Sequence, residues 1–116
     1  MHPTIIKPEE IICNFAEDVF IVGFGQGDRY FIIQRVDEHP ANFHIELDSQ
    51  GQSCYNGLSE ISVEVDKICF ELNSQGSMHL KTGRIEIVDH IIGNPNYDRV
   101  IAEIEILNRS LINSRS

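Results

Sequence analysis

Two segments near the start of the chain are apolar at both odd and even positions. They span residues 19–25 and 29–36, and a glycine-rich turn joins them at residues 25–28. A strand that is apolar on both sides is typical of the centre of a sheet, where both faces are covered. A further apolar segment, residues 11–16, precedes them. The sequence therefore predicts three consecutive strands here, with the second and third at the centre of the fold.

The middle of the chain changes to strict alternation of apolar and polar residues. This period of two predicts strands with one buried face and one face in water. The alternating segments are residues 43–48, 60–66, 68–73 and 84–89. Two turn signals compete between the first two of them, residues 49–53 and the pair Asn56-Gly57. The Asn-Gly pair is the stronger candidate for a tight hairpin turn of type I′.

The last part of the chain has a helical period. Its apolar stripe consists of Tyr97, Val100, Ile101, Ile104, Leu107 and Leu111. Steps of three and four predict an amphipathic helix over residues 96–113 that packs on the sheet. Arg99 and Glu103 are spaced for an ion pair on the outer surface of this helix. Ile106 lies on the side opposite the stripe, so we expect it to face away from the core.

These elements define the expected architecture. We predict an α+β fold, a mainly antiparallel β-sheet of about six to seven strands with one C-terminal α-helix packed on it. Residues 74–81 are expected to form one short helical turn. The 116 residues fit a single domain, 1–116. Residues 1–9, which hold prolines and no amphipathic period, are expected to be an N-terminal arm.

The charge of the chain narrows the classes of partner. Eighteen acids against nine bases give a net charge of −9. An acidic surface repels phosphate, so we expect no nucleic-acid partner and no membrane surface. A basic protein would be attracted, although acidity also simply keeps a protein soluble. The start of the chain lacks the basic and apolar order of a signal peptide, and the three cysteines form no Cys-x-x-Cys pair. We therefore expect a cytosolic protein with free thiols.

No motif in the chain favours catalysis. Gly23, Gly25 and Gly27 repeat at every second position, but they lie between predicted strands. A phosphate-binding loop needs a helix N-terminus after it. No spacing of His, Cys, Asp or Glu matches a metal site. We therefore expect a protein that is not an enzyme and holds no cofactor or metal.

Acids on the polar sides of the alternating strands form the candidate site. The predicted partner-binding residues are Glu46, Asp48, Tyr55, Glu64, Asp66, Glu71 and Glu86, and Glu60 has the same polar position. If their strands are neighbours in one sheet, the acids gather on one side with almost no base between them. Adjacent like charges cost stability, so a cationic partner would explain their presence. Tyr55 would be an aromatic anchor beside them. The alternative is an ordinary solvated face.

The middle of the chain resembles a known family. The segment Tyr-Phe-Ile-Ile-Gln-Arg at residues 30–35 is similar to a strand of immunity protein family 10 from bacterial polymorphic toxin systems. The similarity continues through Gln52-Ser53-x-Tyr55-x-Gly57, the turn at residues 76–80, the strand at residues 85–87 and the closing helix. It covers residues 21–112. The chain departs from the family at Asn56, where members carry a second glycine, and at residues 90–97.

This resemblance implies a function that composition alone does not give. Members of the family are antidotes, which bind the effector domain of a cognate toxin and block it. We therefore expect a non-enzymatic cytosolic protein with a cognate toxin domain as its partner. The alternative is a homo-oligomeric structural or small-ligand-binding domain. In that case Ile106 and the glycine-rich strands would form the face of a homodimer.

Overall fold

A computed structural model describes residues 2–16, 18–36, 39–88 and 95–115 of the chain. Its elements follow one another as β1 (Thr4–Ile6), β2 (Glu10–Ala16), β3 (Val19–Gln26), β4 (Arg29–Val36), β5 (His39–Leu47), β6 (Ser53–Tyr55), β7 (Leu58–Val63), β8 (Lys67–Leu72), α1 (Ser74–Leu80), β9 (Arg84–Val88) and α2 (Tyr97–Arg115). The α+β class and the C-terminal helix are thus confirmed. The predicted bounds of β4 agree with the observed ones.

The strands form two sheets instead of the one expected. The first, which we call the meander sheet, has the order β2-β3-β4-β5-β6, and each strand is antiparallel to its neighbour. The second, the mixed sheet, has the order β1-β9-β8-β7. In it β1 runs parallel to β9, whereas the other pairs are antiparallel. The described residues hold nine strands, more than the alternation predicts, because β1 and β6 are too short to show a period.

The two sheets pack face to face around one core. Phe70 of the mixed sheet lies 6.2 Å from Phe24 and 5.0 Å from Phe31 of the meander sheet, measured between ring centroids. Helix α2 joins the same core through Val100, Ile104, Leu107 and Leu111, as its apolar stripe predicts. The side chains of both sheets that point away from this core therefore form two outer faces on opposite sides of the molecule.

Helix α2 is fastened to the meander sheet by a buried ion pair. Arg35 continues the inward-facing row of β4 and pairs with Glu103, with 2.9 Å between Arg35 Nη2 and Glu103 Oε1. Both residues are only 3% exposed, and the guanidinium lies 4.1 Å from the centroid of the Phe20 ring. The prediction that Glu103 lies on the outer surface was wrong. Ile106, which was expected to face away from the core, is half-buried.

The Asn56-Gly57 pair is not a hairpin turn. It links β6 of the meander sheet to β7 of the mixed sheet, and the turn after β5 follows the competing signal at residues 49–53. A Cβ added to Gly76 of α1 would lie 2.1 Å from the carbonyl oxygen of Gly57. Glycine is required at this crossing because the backbones of the link and the helix touch.

The remaining short elements are also tied to the core. The predicted helical turn at residues 74–81 is confirmed as α1, whose first turn is capped by the Asn73 side chain accepting from Gly76 N at 2.9 Å. The predicted arm contains β1, and its residue Ile6 is fully buried. Within the described part of the chain, no helix has both the length and the apolar character needed to cross a membrane.

Candidate partner-binding surface

The outer face of the mixed sheet carries most of the predicted acids. Strand alternation directs Glu60 of β7, Glu71 of β8 and Glu86 of β9 to this face, and Glu64 follows β7 in the turn to β8. Asp66 lies in the same turn and is exposed. The sequence therefore placed these residues correctly on polar positions.

Two bases lie among these acids, contrary to the expectation that almost none would. Arg84 is 2.9 Å from Glu71 and 3.3 Å from Glu86, measured between guanidinium nitrogen and carboxylate oxygen. Lys67 Nζ is 3.3 Å from Glu86 and 3.7 Å from Glu64. The hydrogen bond from Lys67 to Glu86 and the charges of both acids raise the pKa of Lys67. Much of the negative charge on this face is therefore balanced within the sheet.

A thiol lies beneath the same network. Cys69 of β8 is fully buried although it points to the outer side of the sheet. Arg84 Nη2 is 3.1 Å from its sulfur, and the Cys69 thiol lies 3.4 Å from a carboxylate oxygen of Glu64. The charged side chains thus cover the strand as a layer, which makes this face a closed network rather than a row of free acids.

Glu46, Asp48 and Tyr55 belong to the other side of the molecule. They lie on or beside β5 and β6 of the meander sheet, so the predicted acids do not form one cluster. Asp48 already has partners nearby. Its carboxylate accepts hydrogen bonds from Arg29 Nη2 at 2.8 Å and from the Tyr30 backbone N–H at 3.1 Å. These contacts close the end of the β4–β5 pair.

Glu46 differs from the other acids of the sheets. Its carboxylate accepts a hydrogen bond of 2.5 Å from the hydroxyl of Tyr30, on the neighbouring strand. This hydrogen bond raises the pKa of Tyr30 to about 12, with burial and the charges of Glu46 and Asp48 acting in the same direction. Among the described lysines and arginines, none lies within ion-pair distance of Glu46. It is therefore a half-buried carboxylate without a counter-ion in the described chain.

Aromatic side chains continue this face toward β6. Tyr55 is 59% exposed, and its ring packs edge-on against His44 with 4.9 Å between the centroids. His44 and Tyr55 are direct cross-strand partners. The outward side of β5 and β6 therefore presents an acid and two rings together.

The other half of the outer face of the meander sheet is apolar. Ile12, Gly23 and Ile32 form one row across β2, β3 and β4, and Glu46 follows in the same row on β5. Ile12 is 44% exposed and Ile32 is half-buried, whereas Gly23 between them is buried. In the described chain no element packs on this side.

Sequence reasoning missed this apolar half. It interpreted strands that are apolar on both faces as central strands buried on both faces. The structure places them at the centre of the meander sheet with one face that no described element covers, and such a face gives the same apolar pattern in the sequence. No group of three or more His, Cys, Asp or Glu is placed to hold a metal ion among the described residues.

No family model, curated protein or solved structure matches this chain. The resemblance of residues 30–35 and the following motifs to immunity protein family 10 therefore stays a prediction.

Proposed function

We propose that this protein is an immunity protein, which binds the effector domain of a cognate bacterial toxin and neutralises it without catalysis. The observation that carries the proposal is that each sheet has acids on an outer face that no element of the described residues covers. Together with the net charge of −9, these faces attract a basic protein domain.

The kind of partner follows from electrostatics. Toxin domains that act on nucleic acids must carry basic surfaces to hold phosphate. An acidic protein that covers such a surface competes with the nucleic acid for the same charges. The motif similarity over residues 21–112 supports the same function independently of charge.

The test is protection in cells. The chain is co-expressed with the toxin domain encoded directly upstream of its gene, and survival is compared with cells that express the toxin domain alone. We expect the chain to restore growth and to co-purify with that domain. Co-expression with the effector domain of an unrelated toxin is the control and should give no protection. Absence of protection from the neighbouring toxin would contradict the proposal.

A homo-oligomeric domain is the second candidate. The apolar surface of Ile12, which is exposed, and Ile32, which is half-buried, favours it, because an apolar sheet face is also typical of a contact between identical chains. Light scattering over a range of concentrations separates the two. A dimer at low concentration would support this candidate, whereas a monomer would exclude it.

A further inference from the structure

We infer that the outer face of the meander sheet, rather than that of the mixed sheet, is the interface for a basic protein domain. The contact would place an arginine or lysine of the partner on Glu46 and an apolar side chain on Ile12 and Ile32. This inference rests on the proposed function and specifies the surface through which it acts.

The first argument is the state of Glu46. A half-buried carboxylate beside an aliphatic residue loses hydration, and a nearby cation normally compensates for that loss. Ile32 is the direct cross-strand neighbour of Glu46. Among the described residues, the one polar side-chain contact of the Glu46 carboxylate is with the hydroxyl of Tyr30. Tyr30 fixes the position of the carboxylate without neutralising it. Glu46 is thus oriented for a cation that the described residues do not provide.

The second argument is the shape of the apolar row. A Cβ on Gly23 would meet Ile32 at 3.4 Å and Ile12 at 3.7 Å, so the two isoleucines lie over the glycine, which is buried, and form one continuous apolar surface. A partner side chain placed on this surface would contact apolar groups of both β2 and β4. Buried apolar contacts next to one charged contact are typical of the residues that dominate binding energy.

Charge selects the occupant. Glu10 lies on the same outward side of β2 as Ile12, so both ends of the row from β2 to β5 are bordered by acids. Arg29, at the margin of this face, is already held by Asp48 at 2.8 Å. A second copy of this chain would bring the same acids and its own charge of −9 to the contact. A basic domain complements the face, whereas self-association works against repulsion.

Matched variants on the two outer faces test the inference. Glu46→Gln and Glu60→Gln remove the same charge from the meander and the mixed sheet, so their effects on long-range attraction are equal. Ile12→Thr and Ile5→Thr shorten isoleucines of similar exposure, 44% and 52%, on edge strands of the two sheets. Thermal unfolding checks that all four variants fold, and the affinity for the toxin domain of the co-expression assay is measured for each.

We expect Glu46→Gln and Ile12→Thr each to weaken binding about tenfold or more, as contacts at the centre of an interface do. The mixed-sheet variants should change affinity by less than about twofold. Equal losses on the two faces, or larger losses on the mixed sheet, would overturn the inference while wild-type binding upholds the proposed function. Failure of the wild type to bind would instead overturn the proposed function.

A second measurement does not depend on the folding of any variant. Isoleucine methyl signals of the wild type are recorded by NMR with and without the toxin domain. The methyl groups of Ile12 and Ile32 should show cross-saturation from the partner, and that of Ile5 should not. Saturation of Ile5 alone would overturn the inference. A wild type that is dimeric without the toxin, and that Ile12→Thr makes monomeric, would show a second copy to be the occupant and would overturn it as well.

Discussion

The two outer faces of this molecule carry acids in different electrostatic states. On the mixed sheet, Glu71 and Glu86 share Arg84, and Glu86 also pairs with Lys67. On the meander sheet, Glu46 is held by the neutral hydroxyl of Tyr30. A count of acids along the sequence therefore says little about the charge that a partner meets. What matters is whether a neighbouring strand supplies the counter-ion.

Removal of Glu103 should have the largest effect on stability of any acid discussed, because its charge is buried on the inner side of the meander sheet. Glu103→Ala removes the buried carboxylate that pairs with Arg35, and we expect a loss of about 3–5 kcal/mol in the free energy of unfolding. Denaturant unfolding measures the loss. Glu105→Ala, at an exposed position of the same helix, is the control and should change stability by less than about 0.5 kcal/mol. Similar losses for the two variants would contradict the structural role of the Arg35–Glu103 pair.

The Tyr30–Glu46 contact can be tested by titration. The pKa of Tyr30 is raised from 10.0 to about 12, mainly because its hydroxyl donates to Glu46. Since the neutral phenol is favoured in the folded state, the contact stabilises the protein fully below pH 10 and the stabilisation is lost as the pH rises toward about 12. Glu46→Gln removes the acceptor charge and should return the pKa of Tyr30 toward 10.0.

Ultraviolet absorbance of the tyrosinate measures this shift, and Tyr30→Phe identifies the signal. Glu60→Gln, on the mixed sheet, should leave the titration unchanged. If Tyr30 titrates at the same pH in the wild type and in Glu46→Gln, the proposed geometry of the meander face is wrong.

Alanine substitution at Gly23 tests how tightly the outer face of the meander sheet is packed. Its backbone does not have positive φ, and an added Cβ makes contacts of 3.4 Å or more. Gly23→Ala should therefore raise the free energy of unfolding by about 0.4–1 kcal/mol, since alanine loses less conformational freedom on folding. Gly76→Ala is the opposite case, because its Cβ would overlap the Gly57 carbonyl, and it should destabilise the protein. A loss of stability in Gly23→Ala would show that the row has no spare room.

The smallest effect is expected on the mixed sheet. Glu71→Gln weakens one contact of Arg84, and exposed ion pairs contribute little. We expect a slight destabilisation at low salt that disappears near 1 M NaCl, where the screening length falls to about 3 Å. Glu60→Gln, whose acid is exposed and outside the network, should have no such salt dependence. Equal behaviour of the two variants would mean that the network is not formed in solution.

The sequence predicts most elements because alternation and helical period are local properties. The strand at residues 29–36 and the apolar stripe of α2 follow directly from them. Division into two sheets does not, since alternation assigns a residue to a face and not a strand to a neighbour. The prediction of a hairpin at Asn56-Gly57 was wrong for the same reason, because a strong turn signal does not show that the flanking strands belong to different sheets.

The candidate site could be predicted only in part. Alternation correctly kept Glu46, Glu71 and Glu86 out of the core, yet their grouping depended on strand order. The sequence predicts Glu103 on the outer surface of α2, because charged residues are usually exposed to solvent. A clue was available in Arg35, which shares the inward face of Phe31 and Ile33 and therefore needs a buried acid. Glu103, the buried acid that pairs with Arg35, lies 68 positions away, beyond the reach of a local pattern.

The parallel pairing of β1 with β9 has a consequence for how the chain folds as it leaves the ribosome. All strands of the meander sheet have been synthesised once residue 55 has been added, but Ile6 of β1 must wait for Ile87. Phe24 and Phe31 lack the cover of Phe70 until β8 has been made, and the mixed sheet stays incomplete until β9 follows. Such long-range pairing slows folding and leaves apolar surface open to aggregation. The nascent chain is thus most dependent on chaperones in the interval between the completion of β6 and that of β9.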